Sequence, residues 1–104
     1  MDNILALLGM ARKAGKTVAG EFSVEKAVKE GKAYLVIVSE DASENTKKLF
    51  RDKCSWYHVP NVVYSDKTSL GHAMGLQLRS SAAVLDKGFA EAILSKLSDR
   101  KIGG

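Results

Sequence analysis

The sequence predicts an α/β fold: a single-domain three-layer α/β/α sandwich with a mixed, roughly four-stranded sheet. Short apolar runs rich in β-branched residues alternate along the chain with segments whose apolar residues recur at helical spacing. The 104 residues, 45% of them hydrophobic, include one proline, no low-complexity run and no internal repeat. We therefore expect one domain over residues 1–104, built around one modest core.

The first part of the chain predicts two helices and two strands. NILALLGMARKA has apolar residues at helical spacing, and Gly15 is expected to follow the end of this helix. TVA is a short strand candidate. EFSVEKAVKEG predicts a second helix, with Gly20 at its entry and Gly31 at its exit. YLVIVS, residues 34–39, is an almost unbroken apolar run and predicts a central strand buried on both faces.

The second part predicts three more helices and two more strands. Asp41 or Ser43 is expected to cap a helix through SENTKKLFRDKCSWY, and Pro60 marks its exit. The side chains expected to face inward or close the core here are Leu49, Phe50, Cys54, Trp56 and Tyr57. VVYS and SAAVLD predict strands, separated by a short helix, SDKTSLGHAMG, with Ser65 or Asp66 as its cap. FAEAILSKL predicts a closing amphipathic helix.

Basic residues outnumber acidic ones by 16 to 12, which gives a formal net charge of +4 and a pI near 9.3. This balance agrees with a polyanionic partner but does not require one. Acids and bases also stand four residues apart on the predicted helices, a pattern typical of solvated helix faces. The pairs concerned are Glu25–Lys29, Lys26–Glu30 and Glu44–Lys48.

GKT, residues 15–17, is the closing triplet of the nucleotide-binding P-loop G-x-x-x-x-G-K-[ST]. Met10 stands where that pattern requires its first glycine, and the segment before Gly15 predicts a helix instead of a strand. A P-loop must lie between a strand and a helix, because its backbone N–H groups have to wrap the phosphates. We therefore expect no P-loop here.

Residues for catalysis or metal binding are sparse. Cys54 and His58, four apart, are the nearest approach to a ligand pair, and a pair alone is a poor zinc site, so Cys54 is expected to be an ordinary buried thiol. Glu40 and Asp41 follow a strand end, where ligands often bind in α/β proteins, but helix capping is the favoured role. We expect no catalysis, no cofactor and no metal.

The expected location is the cytoplasm. The single cysteine excludes an internal disulfide and fits a reducing compartment. The opening segment lacks the basic region and the cleavage site of a secretory signal. No apolar run approaches the length of a membrane helix, so we expect no membrane partner.

The start of the second helix is the most informative position. A glycine there leaves backbone N–H groups accessible to an anion, and Lys26 lies on the next turns. Glu21 argues against anion binding, since its carboxylate already compensates the positive end of the helix dipole. Phe22 can either seal the core as a hydrophobic staple or stack on an unpaired base, and the sequence alone favours the staple.

Three segments resemble the kink-turn RNA-binding family of ribosomal proteins, which includes archaeal large-subunit protein seven and eukaryotic protein thirty. They are GKTVAGEFSVEKAVKEGKAYLVIVSEDAS, NVVYSDKTSLGHAMG and LQLRSSAAVLDKGFA. The resemblance covers about residues 4–97 and is to the family's bacterial, YlxQ-like branch. It implies a non-catalytic protein that recognises kink-turn or kink-turn-like structured RNA.

The resemblance also implies particular contacts. In the family, the start of the second helix enters the groove of a sharply bent RNA beside sheared G·A pairs, and a later loop cradles an extruded nucleotide. Gly20 would allow close backbone approach, Lys26 would contact a phosphate or the groove, and Arg79 would lie on the RNA backbone. The implied RNA-binding residues are Lys16, Gly20, Glu21, Phe22, Ser23, Lys26, Lys29, Leu76, Gln77, Leu78, Arg79 and Ser80.

One departure from the family pattern bears on specificity. The archaeal-type pattern G-x-N-E-x-x-K reads G-E-F-S-V-E-K in this chain, with Phe22 at the Asn position and Ser23 at the Glu position. Serine can make a hydrogen bond to a base edge but phenylalanine cannot, so bidentate readout is lost there. We expect altered or weaker discrimination, with RNA shape and backbone carrying more of the binding.

The expected partner is structured RNA, with ribosomal RNA and an mRNA leader as candidate sources, bound by a monomer without DNA binding. Two alternatives stay open. A protein-interaction adaptor of the same fold would bind through Leu76 and Leu78 with little dependence on salt. A small enzyme would bind a free nucleotide through Lys16, which the failed P-loop spacing makes the least favoured of the three.

Overall fold

The computed structural model describes residues 2–103, with side chains described for residues 2–99. Over this range helices and strands alternate. In chain order they are α1 Asn3–Lys13, β1 Thr17–Ala19, α2 Glu21–Lys29, β2 Leu35–Val38, α3 Glu44–Tyr57, β3 Asn61–Val63, α4 Lys67–Ala73, β4 Ser81–Val84 and α5 Lys87–Gly103. The predicted α/β class and the order of its elements are confirmed.

The strands form a four-stranded mixed sheet within the described residues, in the order β1-β4-β2-β3. β4 runs antiparallel to both of its neighbours, with Val18 opposite Ala83 and Val36 also opposite Ala83. β2 and β3 are parallel, so β1, β2 and β3 all point the same way. The carboxyl ends of these three strands therefore lie together with the start of β4 along one edge of the sheet. Here and below, edge means a side of the sheet that is formed by strand ends.

Helices cover both faces of the sheet, as the sandwich prediction requires. One face packs against α1, α4 and α5, through the buried side chains Ile4, Leu8, Leu35, Ile37, Leu70, Met74, Ala82, Val84, Ala90 and Ile93. The other packs against α2 and α3, through Val24, Ala27, Val28, Ala33, Val36, Val38, Ala42, Phe50, Cys54 and Ala83. Consecutive residues of β2 alternate between the two clusters, which confirms that this strand is central and buried on both faces.

The structure decides between the candidate helix caps. The Ser43 hydroxyl accepts the N–H of Thr46 at 3.1 Å and caps α3, and the Asp66 carboxylate accepts the N–H of Ser69 at 2.8 Å and caps α4. Of the predicted i,i+4 ion pairs, only Glu25–Lys29 forms, at 3.5 Å. The other two predictions are wrong, since the acids and bases concerned pair as Glu30–Lys32, Glu44–Lys47 and Lys48–Asp52.

The prediction that Trp56 and Tyr57 close the core is wrong. Trp56 is 78% exposed, and Tyr57 is exposed as well. Trp56 stands two residues after the buried Cys54, which at 3.6 residues per turn places it about 200° around the helix from the core. Tyr57 is the last residue of α3, where the chain turns away through His58 at φ +59°.

Among residues 2–103, no helix combines the length and the apolar character that crossing a membrane requires. The possible ligand pair on α3 does not converge either. Cys54 is buried in the core while His58 is exposed, and burial raises the pKa of the Cys54 thiol to about 11. Cys54 is thus the ordinary buried thiol that was expected, and it is protonated at neutral pH.

Candidate functional site

The start of α2 and the loop before β4 lie side by side at one edge of the sheet. The N–H of Gly20 donates to the carbonyl of Ser81 at 3.1 Å, and the N–H of Ser39 donates to the carbonyl of Ser80 at 2.9 Å. Three segments that are far apart in sequence therefore meet here. We call residues 20–23, 39–43 and 76–81 together the site edge.

Gly20 begins α2 without a side-chain cap. Its φ of +95° and ψ of 149° suit glycine alone, while a Cβ added there would meet no atom within 4 Å. Glycine is therefore required by the backbone conformation and not by a close contact. The first-turn N–H groups of α2 lack the side-chain acceptor that caps α3, so they remain available to an external acceptor.

Glu21 occupies the first turn of α2, as the sequence indicated, and its carboxylate is held by a neighbouring helix. The hydroxyl of Thr46 donates to Glu21 Oε1 at 3.1 Å, and the hydroxyl of Ser43 donates in turn to Thr46 Oγ1 at 3.0 Å. This chain of hydrogen bonds links the first turns of α2 and α3. The negative charge of Glu21 is consequently positioned toward α3.

Phe22 projects into solvent, with 80% of its surface exposed, so the staple interpretation is wrong. The core positions of α2 begin at Val24, about 200° around the helix from Phe22, and Phe22 therefore points away from the sheet. Ser23 is half-buried beside it. Lys26, one turn on, is exposed and makes no ion pair with another described residue.

The loop of residues 76–80 is held rigidly by α4. The N–H of Leu76 donates to the carbonyl of Gly71 at 2.9 Å, and the N–H of Arg79 donates to the carbonyl of Lys67 at 3.1 Å. Gly71 permits this approach, because a Cβ on it would lie 1.8 Å from the carbonyl oxygen of Gln77. The loop backbone is thus fixed by contacts with its own helix.

Side chains of the loop divide between the core and solvent. Leu76 packs against the apolar cluster beneath α4, whereas Leu78 is 59% exposed and Gln77 is exposed beside it. The Arg79 guanidinium donates to the carbonyl of Leu78 at 2.8 Å, which orders the tip. Ser80 is half-buried where the loop joins β4. The loop therefore presents one apolar side chain and one cation outward from a fixed backbone.

Asp41 is a capping residue, as expected, but for a different helix from the one predicted. Its carboxylate accepts the N–H of Lys67, the first residue of α4, at 3.0 Å. Partial desolvation raises the pKa of Asp41, but the nearby Ser39 hydroxyl, the hydrogen bond from the Lys67 N–H and the positive charge of Lys67 outweigh it and lower the pKa below its ordinary value of 3.8. Asp41 thus ties the β2–α3 loop to α4.

Two of the implied RNA-binding residues lie away from the site edge. Lys16 precedes β1 and stands at the opposite edge of the sheet, and Lys29 is at the far end of α2, paired with Glu25. Sequence reasoning did not select Lys32 and Tyr34, which border the outer side of α2 near Lys16. The signal available in the sequence was a lysine and a tyrosine, two apart, immediately before a fully apolar strand.

Among the described residues, no group of three or more His, Cys, Asp or Glu side chains is arranged to hold a metal ion. The residues that meet at the site edge are instead backbone donors, apolar side chains, the cation of Arg79 and the carboxylates of Glu21, Glu40 and Asp41, and the exposed Lys26 lies one turn along α2. Donors and cations of this kind bind anionic groups, and the apolar side chains pack against bases or other apolar surfaces.

A model of the ribosomal protein L7Ae/L30e/S12e/Gadd45 family matches residues 2–94 of the chain. The chain is 43% identical over 91 residues to the RNA-binding protein YlxQ of Bacillus subtilis, covering 88% of this chain and 91% of that protein. It is 38% identical over 85 residues to the RNA-binding protein YlxQ of Enterococcus faecium, covering 82% of each chain.

Two solved structures are similar to this one. A protein of unknown function from Bacillus halodurans superposes with a TM-score of 0.86 at 40% identity, over 88% of this chain and 93% of that chain. A 15.5 kD RNA binding protein from Giardia lamblia superposes with a TM-score of 0.79 at 23% identity, over 94% of this chain and 90% of that chain. The second likeness establishes a shared fold.

Proposed function

Because the chain belongs to the ribosomal protein L7Ae/L30e/S12e/Gadd45 family, we propose that it binds structured RNA of the kink-turn type through the site edge. The observation that carries the proposal is the uncapped start of α2 beside the fixed loop of residues 76–80. The YlxQ relatives are named as RNA-binding proteins, which supports RNA as the ligand. Family membership also agrees with the prediction that the protein is not an enzyme.

The start of α2 supplies the groups that hold the RNA backbone. Free N–H groups and the positive end of the helix dipole attract a phosphate, and the absence of a side chain on Gly20 lets the phosphate approach. Lys26 adds an exposed cation one to two turns along the same helix. Contacts of this kind position an RNA but carry no sequence information.

The loop of residues 76–80 supplies the surface for an unstacked base. Leu78 presents an apolar side chain that a splayed base can cover, and Arg79 stands next to it with a guanidinium able to reach a phosphate. Since the loop backbone is fixed by α4, little ordering entropy is lost when RNA binds. Bent RNA with an extruded nucleotide fits this pair of surfaces.

Phe22 and Ser23 set the expected specificity. Where the family pattern has two side chains that hydrogen-bond base edges, this chain has an exposed aromatic ring and one hydroxyl. The ring can stack but cannot pair, so recognition of sheared G·A pairs rests more on RNA shape. The protein acts as a monomer in the cytoplasm, with ribosomal RNA or an mRNA leader as its target.

A titration of the protein against a kink-turn RNA and a matched RNA with its G·A pairs replaced, both in magnesium at two salt concentrations, tests this function. We expect tighter binding of the intact kink-turn. Equal and steeply salt-dependent binding of both RNAs would instead identify a general backbone binder. Absence of binding to either would favour the protein-interaction adaptor, for which exposed Leu78 is the candidate anchor.

The contribution of Lys26 is measured in the same titration. Lys26→Ala should weaken binding and flatten the dependence of log K on log salt concentration by about one unit of slope, because one phosphate contact is lost. Lys96→Ala is the matched control, since Lys96 is an exposed lysine on α5, across the sheet from α2. An unchanged slope in Lys26→Ala would remove this residue from the contact surface.

The loss of base-edge readout is testable by restoring it. The double variant Phe22→Asn, Ser23→Glu places the family's hydrogen-bonding pair on the first turn of α2. We expect its preference for the intact kink-turn over the G·A-replaced RNA to exceed that of the wild type by about tenfold, as for one good bidentate contact. A preference no greater than that of the wild type would mean that Phe22 does not face the G·A pairs.

A further inference from the structure

Two adjoining depressions run along the outer side of α2. One, of about 280 Å³, is lined by residues that include Phe22, Lys26, Lys32 and Leu85. The other, of about 360 Å³, lies toward the opposite edge of the sheet and is lined by residues that include Lys16, Tyr34, and again Lys32 and Leu85. They share two lining residues and therefore lie next to each other, and we call the two together the α2 groove.

The α2 groove is positively charged. It brings together Lys16, Lys26 and Lys32, of which only Lys32 makes an ion pair within the described residues, with Glu30 at 3.3 Å. Glu30 also lines the groove and is its acidic member. Glu25, the remaining acid in the middle of α2, is directed elsewhere, since it pairs with Lys29 and Lys53. Two lysines along the groove are therefore uncompensated.

Exposed aromatic rings stand at the two ends of the α2 groove. Phe22, at the site edge, is 80% exposed, and Tyr34, just before β2, is 46% exposed. The two rings flank a row of cations, Lys26, Lys32 and Lys16. Proteins hold single-stranded nucleic acids in grooves that combine cations with aromatic rings, since bases stack on the rings and phosphates lie on the cations.

We propose that the α2 groove binds an unpaired RNA strand that continues from the RNA held at the site edge. The inference rests on the proposed function, because the groove begins at Phe22 in the first turn of α2. The strand would follow α2, whose nine residues span about 13 Å, and would end at Tyr34 and Lys16. Lys32 and Tyr34 thereby become RNA contacts, and Lys16 contacts RNA although it lies at the opposite edge of the sheet from Gly20.

A single strand fits the α2 groove better than a duplex does. Bases in a duplex are stacked on one another and cannot cover Phe22 or Tyr34, whereas unpaired bases present their faces freely. A protein segment would have to carry acidic residues of its own opposite the lysines of the groove. The groove walls do contain apolar side chains, Val18 and Leu85, but the row of cations specifies an anionic backbone.

The experiment compares a kink-turn RNA with blunt ends and the same RNA carrying a ten-nucleotide unpaired extension at its 5′ or its 3′ end. We expect one of the two extensions to tighten binding by about tenfold, as one stacked base does. The affinity for the blunt RNA measures the proposed function by itself. Equal affinity for all three RNAs, with the blunt RNA bound, would overturn the α2 groove while leaving the proposed function intact.

Substitutions in the α2 groove but outside the site edge test whether the higher affinity for the extended RNA comes from the groove. Tyr34→Leu should remove about tenfold of affinity for the extended RNA, and Tyr34→Phe should retain it, because only the ring is needed. Lys32→Ala should lower the salt slope for the extended RNA by about 0.7, the value for one phosphate of a single strand. Neither Tyr34→Leu nor Lys32→Ala should alter binding of the blunt RNA.

Trp56→Ala is the matched aromatic control, since Trp56 is 78% exposed on α3 and does not line the groove. It should bind the extended RNA as the wild type does. An equal loss in Trp56→Ala and Tyr34→Leu would overturn the inference, as would a loss that appears equally with the blunt RNA. Urea denaturation of each variant establishes that the folded fraction is the same in all titrations.

Discussion

The two segments of the site edge that are proposed to contact RNA, which we call its two halves, are built by opposite means. At the start of α2, Gly20 has an unusual backbone conformation, no side-chain cap and no atom within 4 Å of where a Cβ would lie. In the loop of residues 76–80, the backbone is tied to α4 by hydrogen bonds from Leu76 and Arg79, and Gly71 has no room for a Cβ at all. We call the start of α2 the open half, and the loop of residues 76–80, whose backbone packs against α4, the closed half.

This difference shows how a small domain can place N–H donors that are available to a ligand next to a loop of rigid conformation. An uncapped helix start leaves donors for a ligand, at some cost in stability, because those donors lack a protein acceptor. A loop held by backbone hydrogen bonds presents its side chains in one arrangement before the ligand arrives. We therefore expect substitutions in the loop to act mainly through folding, and substitutions at the start of α2 to act mainly through binding.

Gly71→Ala should have the largest effect and break the closed half. Its Cβ would lie 1.8 Å from the Gln77 carbonyl oxygen, so the loop has to move away from α4. We expect the free energy of unfolding to fall by about 3 kcal/mol, at the upper end of overpacking substitutions. Urea denaturation measures the loss. Gly75→Ala, with a φ of +68° and no atom near its Cβ, measures for comparison the cost of a positive φ without a clash, a cost that Gly71→Ala does not carry.

Gly20→Ala should have the next largest effect, because it strains the backbone at the start of α2 without a steric clash. At φ +95° and ψ 149° an alanine costs about 2 kcal/mol of unfolding free energy. The added methyl group also stands where a phosphate would approach, so RNA affinity should fall beyond what the folded fraction explains. Affinity that falls only in proportion to the folded fraction would show that the start of α2 is not a contact surface.

Ser43→Ala should destabilise the protein by about 1 kcal/mol, the usual cost of removing a helix cap. It opens the start of α3, and so makes α3 resemble α2 in lacking a side-chain acceptor for its first turn. RNA affinity should stay unchanged, because the first turn of α3 has no aromatic ring and its one lysine, Lys47, pairs with Glu44. Thermal denaturation and the kink-turn titration measure the two quantities, and a rise in affinity would mean that any uncapped helix start at this edge suffices.

Asp41→Asn should have the smallest effect, and its dependence on pH tests the contact between the β2–α3 loop and α4, the helix that holds the loop of residues 76–80. The pKa of Asp41 is lowered in the folded protein, so its charge stabilises the fold above the ordinary value of 3.8, and this contribution is lost as pH falls through the lower folded value. Wild type should therefore be slightly more stable than Asp41→Asn at neutral pH and equal to it in strong acid. A difference independent of pH would assign the effect to the side-chain amide instead of the lost charge.

Much of the site edge followed from the sequence through its resemblance to a family. Gly20 and the loop of residues 76–81 were selected because their spacing matches a known pattern, and the structure brings them together. Phe22 was placed wrongly, since its hydrophobicity favoured burial while its angular position on α2 turns it outward. Tyr34 was missed because it was assigned to the buried strand of residues 34–39, and Lys32 because it lies in the connection before that strand, where no periodicity indicates direction.

The sequence by itself determined the order and type of the elements, the buried faces of β2 and α2, and the glycines that begin and end the helices. These are local properties, because hydrophobic periodicity and permitted backbone angles depend on neighbours within a few residues. Only the tertiary structure decided that Asp41 caps α4, that Glu21 is held by Thr46, and that Phe22, Lys32, Tyr34 and Lys16 share one groove. Such contacts join residues distant in sequence, and their formation depends on how the helices pack across the sheet, which no local pattern specifies.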